Sequence, residues 1–214
     1  MRTDAGALLE VLRAIADELP RHERRLNELD AALGDGDHGL TITRCCRAIR
    51  SRLDLLPDAS VAETLAAVGT AVVAGAGGAS GALLGSAFVA AGQAVGDGQP
   101  VDATRVADML DAAQRAIASR GHVAPGDKTM LDALAPAAEA ARRVASSGVS
   151  VGDAVAAAAD AAERGAGATG EMVGRAGRAS RLGERSLGHP DPGAVSVAIM
   201  LRVAADRLRP MGRA

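Results

Sequence analysis

Asp30, Asp35 and Asp37 fall in one short turn, "DAALGDGDHGLTITR", together with three glycines and His38. Carboxylates brought so close repel one another unless a cation lies among them. Carboxylate oxygens are the ligands that hard Mg²⁺ or Ca²⁺ prefers. Helix capping explains one or two aspartates here, but not three. An EF-hand fails on spacing: counted from Asp35, its sixth position is Leu40 rather than Gly and its twelfth is Cys46 rather than Glu. Magnesium needs few protein carboxylates when a phosphate completes its shell, so the turn reads as Mg²⁺ with a phosphate ligand.

Three further loops carry polar residues. "GAGGASG" (75–81) has serine where a dinucleotide fingerprint needs its third glycine, and the segment before it reads as helix at least as well as strand. What remains is bare backbone N–H groups and the Ser80 hydroxyl at a helix start, a phosphate cradle. "GHVAPGDKT" (121–129) misses a P-loop, because Asp127 stands where the lysine belongs and Lys128 comes one residue late. "GRAGRASRLGERSLGHPDPGA" (174–194) gathers Arg175, Arg178, Arg181 and Arg185 with Glu184, His189 and Asp191. Its glycines and the "DPG" before the last apolar run predict an ordered loop in which an arginine neutralises phosphate. The four histidines are scattered and the adjacent Cys45 and Cys46 have no second pair, which argues against zinc. Ser80 lacks the G-x-S-x-G frame of a serine hydrolase.

The elements that position these loops read as helices. Leu8, Leu12, Ile15 and Leu19 recur at helical spacing behind Asp4, an expected N-cap, and Pro20 opens a second helix ending at Asp30. A third carries Ile42, Ala48 and Ile49. Ser60 caps a fourth to about Ala74, and a fifth carries Leu84, Ala87, Phe88 and Ala91. Val106 to Ile117, Leu131 to Ala141 and the alanine-rich run after "SSGVSVGD" give three more. Pro192 sits at the first position of the last. No strand pattern stands out apart from the ambiguous "TAVVAGAGG". The expectation is a single all-α domain over residues 5–209, with about eight amphipathic helices.

Composition narrows the function. The chain has 214 residues, a net charge of −2, one Phe and neither Trp nor Tyr. It therefore offers neither the basic surface nor the stacking platforms of a nucleic-acid binder. Thr64 to Gly96 is uncharged and long enough to span a bilayer, but a glycine cluster interrupts it, so a buried helix–loop–helix and no membrane span is the expectation. The N-terminal residues lack a signal-peptide pattern, and two adjacent cysteines read as reduced thiols of a cytoplasmic protein.

Together "ELDAALGDGDHG", "GGASGALLGSAF", "PGDKTMLDAL" and "GRASRLGERSLGHPDPGA", in this order over nearly the whole chain, resemble the nucleotide-binding L subunit of dihydroxyacetone kinase. The resemblance implies an antiparallel barrel of eight helices with the nucleotide site in the loops at one end. It implies ADP or ATP held through two Mg²⁺ on Asp30, Asp35 and Asp37. Nucleotide contacts then fall to His38, Gly39, Leu40 and Thr41, to Ala79 and Ser80 beside the phosphates, and to Gly121 and Met130 near the adenosine. Arg178 is expected at the terminal phosphate, as the catalytic residue, with Asp191, Pro192 and Gly193 closing the pocket. Substrate is held on a separate K subunit, so a hetero-complex or homodimer is expected, active only with its partner. Gly36-Asp37 and Thr41 lean toward ATP-dependent relatives and His38 toward those recharged by a phosphotransferase-system M subunit, so both donors stay open. A kinase for another short ketose such as erythrulose, and a non-catalytic subunit that senses nucleotide and binds a transcriptional regulator, are the alternatives.

Overall fold

The computed structural model describes residues 5–56, 58–96 and 100–209. Among them are nine α-helices and no strand: α1 (Ala5–Glu18), α2 (Glu23–Ala31), α3 (His38–Leu53), α4 (Val61–Ala76), α5 (Gly78–Val95), α6 (Ala103–Gly121), α7 (Leu131–Ala145), α8 (Val151–Ala168) and α9 (Pro192–Leu208). Eight are long, and α2 is a nine-residue stub. The all-α expectation is therefore met.

From α3 to α9 each long helix packs on the next, and α1 lies against both α9 and α3, closing the ring. Because neighbours joined in sequence run antiparallel, every second connection falls at the same end. The turn before α3 and the connections α4–α5, α6–α7 and α8–α9 therefore share one end. The connections α3–α4, α5–α6 and α7–α8 share the other.

Small residues let these helices touch backbone to backbone. A Cβ on Gly69 of α4 would lie 2.5 Å from the Gly85 carbonyl oxygen of α5, and one on Gly85 2.6 Å from that of Gly69. Pro136, inside α7, cannot donate to the Asp132 carbonyl one turn back. That oxygen instead faces Gly165 of α8, where a Cβ would come within 2.2 Å of it. Glycine at positions 69, 85 and 165 is thus a packing requirement, between α4 and α5 and between α7 and α8.

Several boundaries differ from the sequence reading. Leu19–His22 forms a 3₁₀ turn, so the helix expected from Pro20 begins only at Glu23. The ambiguous "TAVVAGAGG" lies mostly in α4, which runs two residues past Ala74. Ser60 caps α4 as expected, in a box with Glu63. Asp4 lies outside the described residues. Among the described residues α5 alone is long and apolar enough to cross a membrane. It packs between α4 and α6.

Candidate functional site

The four connections at one end enclose a cleft of about 540 Å³. Its acidic wall is the turn between α2 and α3. Asp30 sits in the last turn of α2, and its Oδ2 accepts the N–H groups of Asp37 (2.9 Å) and His38 (3.2 Å), fixing the start of α3. Gly34 lets the chain double back, since a Cβ there would lie 2.8 Å from Asp30 Oδ1. Asp30, Asp35 and Asp37 each bring one carboxylate oxygen to within 4.8 Å of the others. This all-oxygen donor set fits a hard divalent cation such as Mg²⁺.

Facing it is the N-terminus of α5. Gly77 (φ +66°) turns the chain so sharply that α4 and α5 are joined by this residue alone, and no side chain caps α5. Gly78, Ala79 and Ser80 line the cleft, so the exposed N–H groups and positive dipole end of an 18-residue helix confront the carboxylates. An anion bearing a cation satisfies both walls.

The third wall is apolar: Leu83, Ile117, Gly121, Val123 and Met130 line it. Gly121 is the last residue of α6, and His122 rather than a glycine takes the left-handed C-cap position (φ +52°). The fourth wall brings Arg178, whose guanidinium pairs with Asp35. Asp191 caps α9 by accepting the Ala194 N–H at 2.7 Å, with Pro192 and Gly193 beside it. Gly193 packs tightly there, since a Cβ would lie 3.0 Å from Asp191 Oδ2 and 3.3 Å from Met130. Burial lifts the Asp191 carboxyl to about 7, against the pull of its hydrogen bond to Ala194.

Of the residues singled out from the sequence, Asp30, Asp35, Asp37, His38, Thr41, Ala79, Ser80, Gly121, Met130, Arg178, Asp191, Pro192 and Gly193 all line this one cleft. Gly39 and Leu40 do not. Gly39 is pressed against α2, where a Cβ would come within 2.1 Å of the Glu23 carbonyl oxygen, and Leu40 donates its N–H to Asn27 Oδ1. Arg175, Arg181 and Arg185 are exposed outside the cleft lining.

Three buried polar residues that support the cleft, Ser196, Lys128 and Asp132, were not singled out from the sequence. His38 is buried between α3 and α9, its Nε2 2.9 Å from Ser196 Oγ and its Nδ1 3.4 Å from Ser80 Oγ. Ser196 spends its hydroxyl proton on the Pro192 carbonyl, so it accepts from Nε2–H. This leaves Nδ1 bare to accept from Ser80. Burial lowers the His38 pKa, with Asp30 opposing, consistent with that neutral tautomer. Lys128, 1% exposed, lines the cleft with a backbone φ of +64°, and its ammonium donates to the carbonyls of Thr169 and Met172. Burial lowers its pKa, against the attraction of Asp191 and Asp132. Asp132 braces the preceding loop by accepting the N–H groups of Gly126 and Thr129. One signal pointed to Lys128: it is the only lysine in a chain whose other side-chain cations are arginine or histidine.

The fold thus forms a closed helical barrel whose end loops set three carboxylates opposite an uncapped helix N-terminus. The profile of the DAK2 domain matches residues 32–206, and the chain belongs to that family. It is 39% identical over 180 residues to the ADP-binding subunit DhaL of the PEP-dependent dihydroxyacetone kinase of Escherichia coli, covering 84% of this chain and 86% of that one. It is equally identical, over 207 residues, to the D-erythrulose kinase of Mycolicibacterium smegmatis, covering 96% of this chain but only 36% of that longer protein. The crystal structure of the C. freundii dihydroxyacetone kinase in complex with AMP-PNP and Mg²⁺ superposes with a TM-score of 0.73 at 29% identity, over 96% of this chain and 34% of that one. The resemblance read from the four motifs is borne out at the level of the family.

Proposed function

We propose that this chain, as one domain over residues 5–209, is the ADP/ATP-carrying subunit of a dihydroxyacetone-type kinase. One observation carries the reading: three converging carboxylates, an uncapped helix N-terminus and an arginine face one another across a single cleft. The curated relatives support the nucleotide and the kinase class. Asp30, Asp35 and Asp37 would hold two Mg²⁺, which when bound neutralise the phosphate charge. The α5 N-terminus with Ala79 and Ser80 receives the phosphates, and His38 and Thr41 flank them. Gly39 and Leu40 contribute by fixing α3 against α2. Gly121 and Met130, with Leu83, Ile117 and Val123, form an aliphatic seat for adenine, since the chain's single phenylalanine, Phe88, does not line the cleft. Asp191, Pro192 and Gly193 close the pocket, and Arg178 spreads the charge that develops on the transferring phosphoryl group.

The acceptor is dihydroxyacetone held on a separate K subunit in a cytoplasmic hetero-complex. The donor is either a phosphotransferase-system M subunit that recharges retained ADP or free ATP that exchanges. A second reading, a kinase subunit for erythrulose, is favoured by the 39% identity to the D-erythrulose kinase. The test is phosphoryl transfer by the purified chain alone and with a K-type partner, with dihydroxyacetone or erythrulose as acceptor. Transfer is expected only with the partner present, and turnover by the chain alone contradicts the split-subunit reading. Native mass spectrometry showing retained ADP favours recharging in place, and rapid exchange of ATP favours the other donor.

A further inference from the structure

Arg178 stands on the longest connection of the barrel, residues 169–191, whose regular structure consists of three 3₁₀ turns, at Thr169–Glu171, Ala179–Arg181 and Gly183–Ser186. Such a segment needs external ties if its arginine is to be held in one place. The ties at its base come from the α6–α7 loop. Lys128 Nζ donates to the carbonyl oxygens of Thr169 and of Met172, the latter at 3.1 Å. The Arg175 N–H donates to the Asp127 carbonyl at 3.1 Å. The α6–α7 loop is itself anchored to α7: Asp132 Oδ1 and Oδ2 accept from Gly126 and Thr129 on either side of Lys128. Thr169 also binds forward, its Oγ1 accepting the Asp191 N–H at 2.8 Å and donating to the Ala166 carbonyl. Both ends of the arginine segment therefore meet at Thr169, which Lys128 holds.

From this we propose that Lys128 is a positioning residue for Arg178: its buried ammonium joins the α6–α7 loop to the base of the arginine segment, so that the adenosine-facing and phosphate-facing loops move as one body. The proposal rests on the Mg-nucleotide reading of the cleft. The chemistry explains the residue type. Two carbonyls converge on a site open to almost no solvent, and an ammonium on a flexible stem turns its donors to both, which the fixed planar fork of a guanidinium does not reproduce. A chain that uses arginine everywhere else places its one lysine there.

The test is a binding cycle on the full chain, measuring Mg–AMP-PNP and Mg–ADP affinities for wild type, Lys128→Gln, Lys128→Arg, Arg178→Lys and the double variant Lys128→Gln/Arg178→Lys. The readout is the preference for triphosphate over diphosphate, which reports contact with the terminal phosphate. Arg178→Lys should lower this preference by roughly tenfold, the weight of one hydrogen bond to a charged group. Lys128→Gln should lower it similarly, Lys128→Arg should not restore it, and the double variant should be no worse than Arg178→Lys, since residues that act through one another are non-additive. A preference unchanged in Lys128→Gln, or additive losses in the double variant, overturns the proposal. A wild-type chain that binds neither nucleotide with Mg²⁺ instead overturns the reading of the cleft. Hydrogen exchange on the wild type decides the matter even where Lys128→Gln fails to fold. Residues 126–130 and 169–175 should gain protection on adding Mg–AMP-PNP by the same factor, and different factors for the two segments contradict a shared body.

Discussion

The two ends of the barrel are built by different chemistry. At the end away from the cleft, helix starts are capped locally and in water: Ser60 with Glu63, Asp102 with the Arg105 N–H, Ser150 with Asp153. At the cleft end, polar groups are buried and their partners lie far off in sequence, as with His38 and Ser196, Lys128 and Thr169, or Gly174 and Ser186. A local cap can fray and reform without disturbing its neighbours. A buried long-range tie fixes two elements at once, because losing either partner strands the other out of reach of water. The cleft end is thus held in advance of its ligand, and the other end only closes the ring.

The largest expected effect is at the metal site. Asp35→Ala or Asp37→Ala should weaken Mg–ADP binding by more than about 100-fold, beyond the ten- to hundredfold typical of changes in outer-shell partners. The far-UV circular dichroism should be unchanged, since each substitution removes a carboxylate that its neighbours repel. Next, with a K-type partner present, Arg178→Lys should slow phosphoryl transfer by on the order of 10²-fold, near the loss of one oxyanion-type donor. Arg175→Lys, whose role is its backbone N–H, should transfer at the wild-type rate, and equal losses in both variants would remove Arg178 from the mechanism.

Smaller effects separate the two ends. Ser60→Ala should cost about 1 kcal/mol of stability and leave Mg–ADP affinity alone. Ser196→Ala should cost about 1–3 kcal/mol by stranding His38 Nε2, and should also weaken Mg–ADP binding, because the tautomer that orients Ser80 is lost. If calorimetry and thermal melts found the two variants alike, the contrast between the ends would be wrong. Last comes the pH dependence of two thiols outside the cleft, which bears on stability and not on the site. Burial pushes Cys45 up to about 11 and Cys46 up to about 12 from 9.0. Between about pH 9 and 11 the native chain keeps protons that the unfolded chain gives up, so stability should fall as pH rises there, by up to about 1.4 kcal/mol per unit per thiol. Denaturant melts across that range check it, and alkylation of both thiols should wait on unfolding.

The same contrast explains what could be read from the sequence. Helix periodicity and local caps are short-range signals, so Ser60, Pro192 and the core face of α5 were legible, as were the converging aspartates within one turn. The 3₁₀ turn at Leu19–His22 was not, because a proline marks where a helix is permitted to begin and says nothing of the geometry before it. The lack of a side chain at Gly39 serves the approach of α3 to the Glu23 carbonyl, a contact with another helix that no motif encodes. Lys128 fails a P-loop spacing, and its partners lie some forty residues away, a distance that no local pattern encodes. Ser196 is hidden likewise, in the middle of an apolar helical run.

The central claim is that the aspartate turn, through a divalent cation, and the α5 N-terminus jointly hold a nucleotide phosphate. Calorimetric titration of ADP into chain stripped of metal and nucleotide, with Mg²⁺ and then with EDTA, tests it most directly. The account predicts binding that is lost when the metal is chelated, because without a cation the clustered carboxylates repel a diphosphate. ADP affinity unchanged by EDTA, or no binding under either condition, would contradict it.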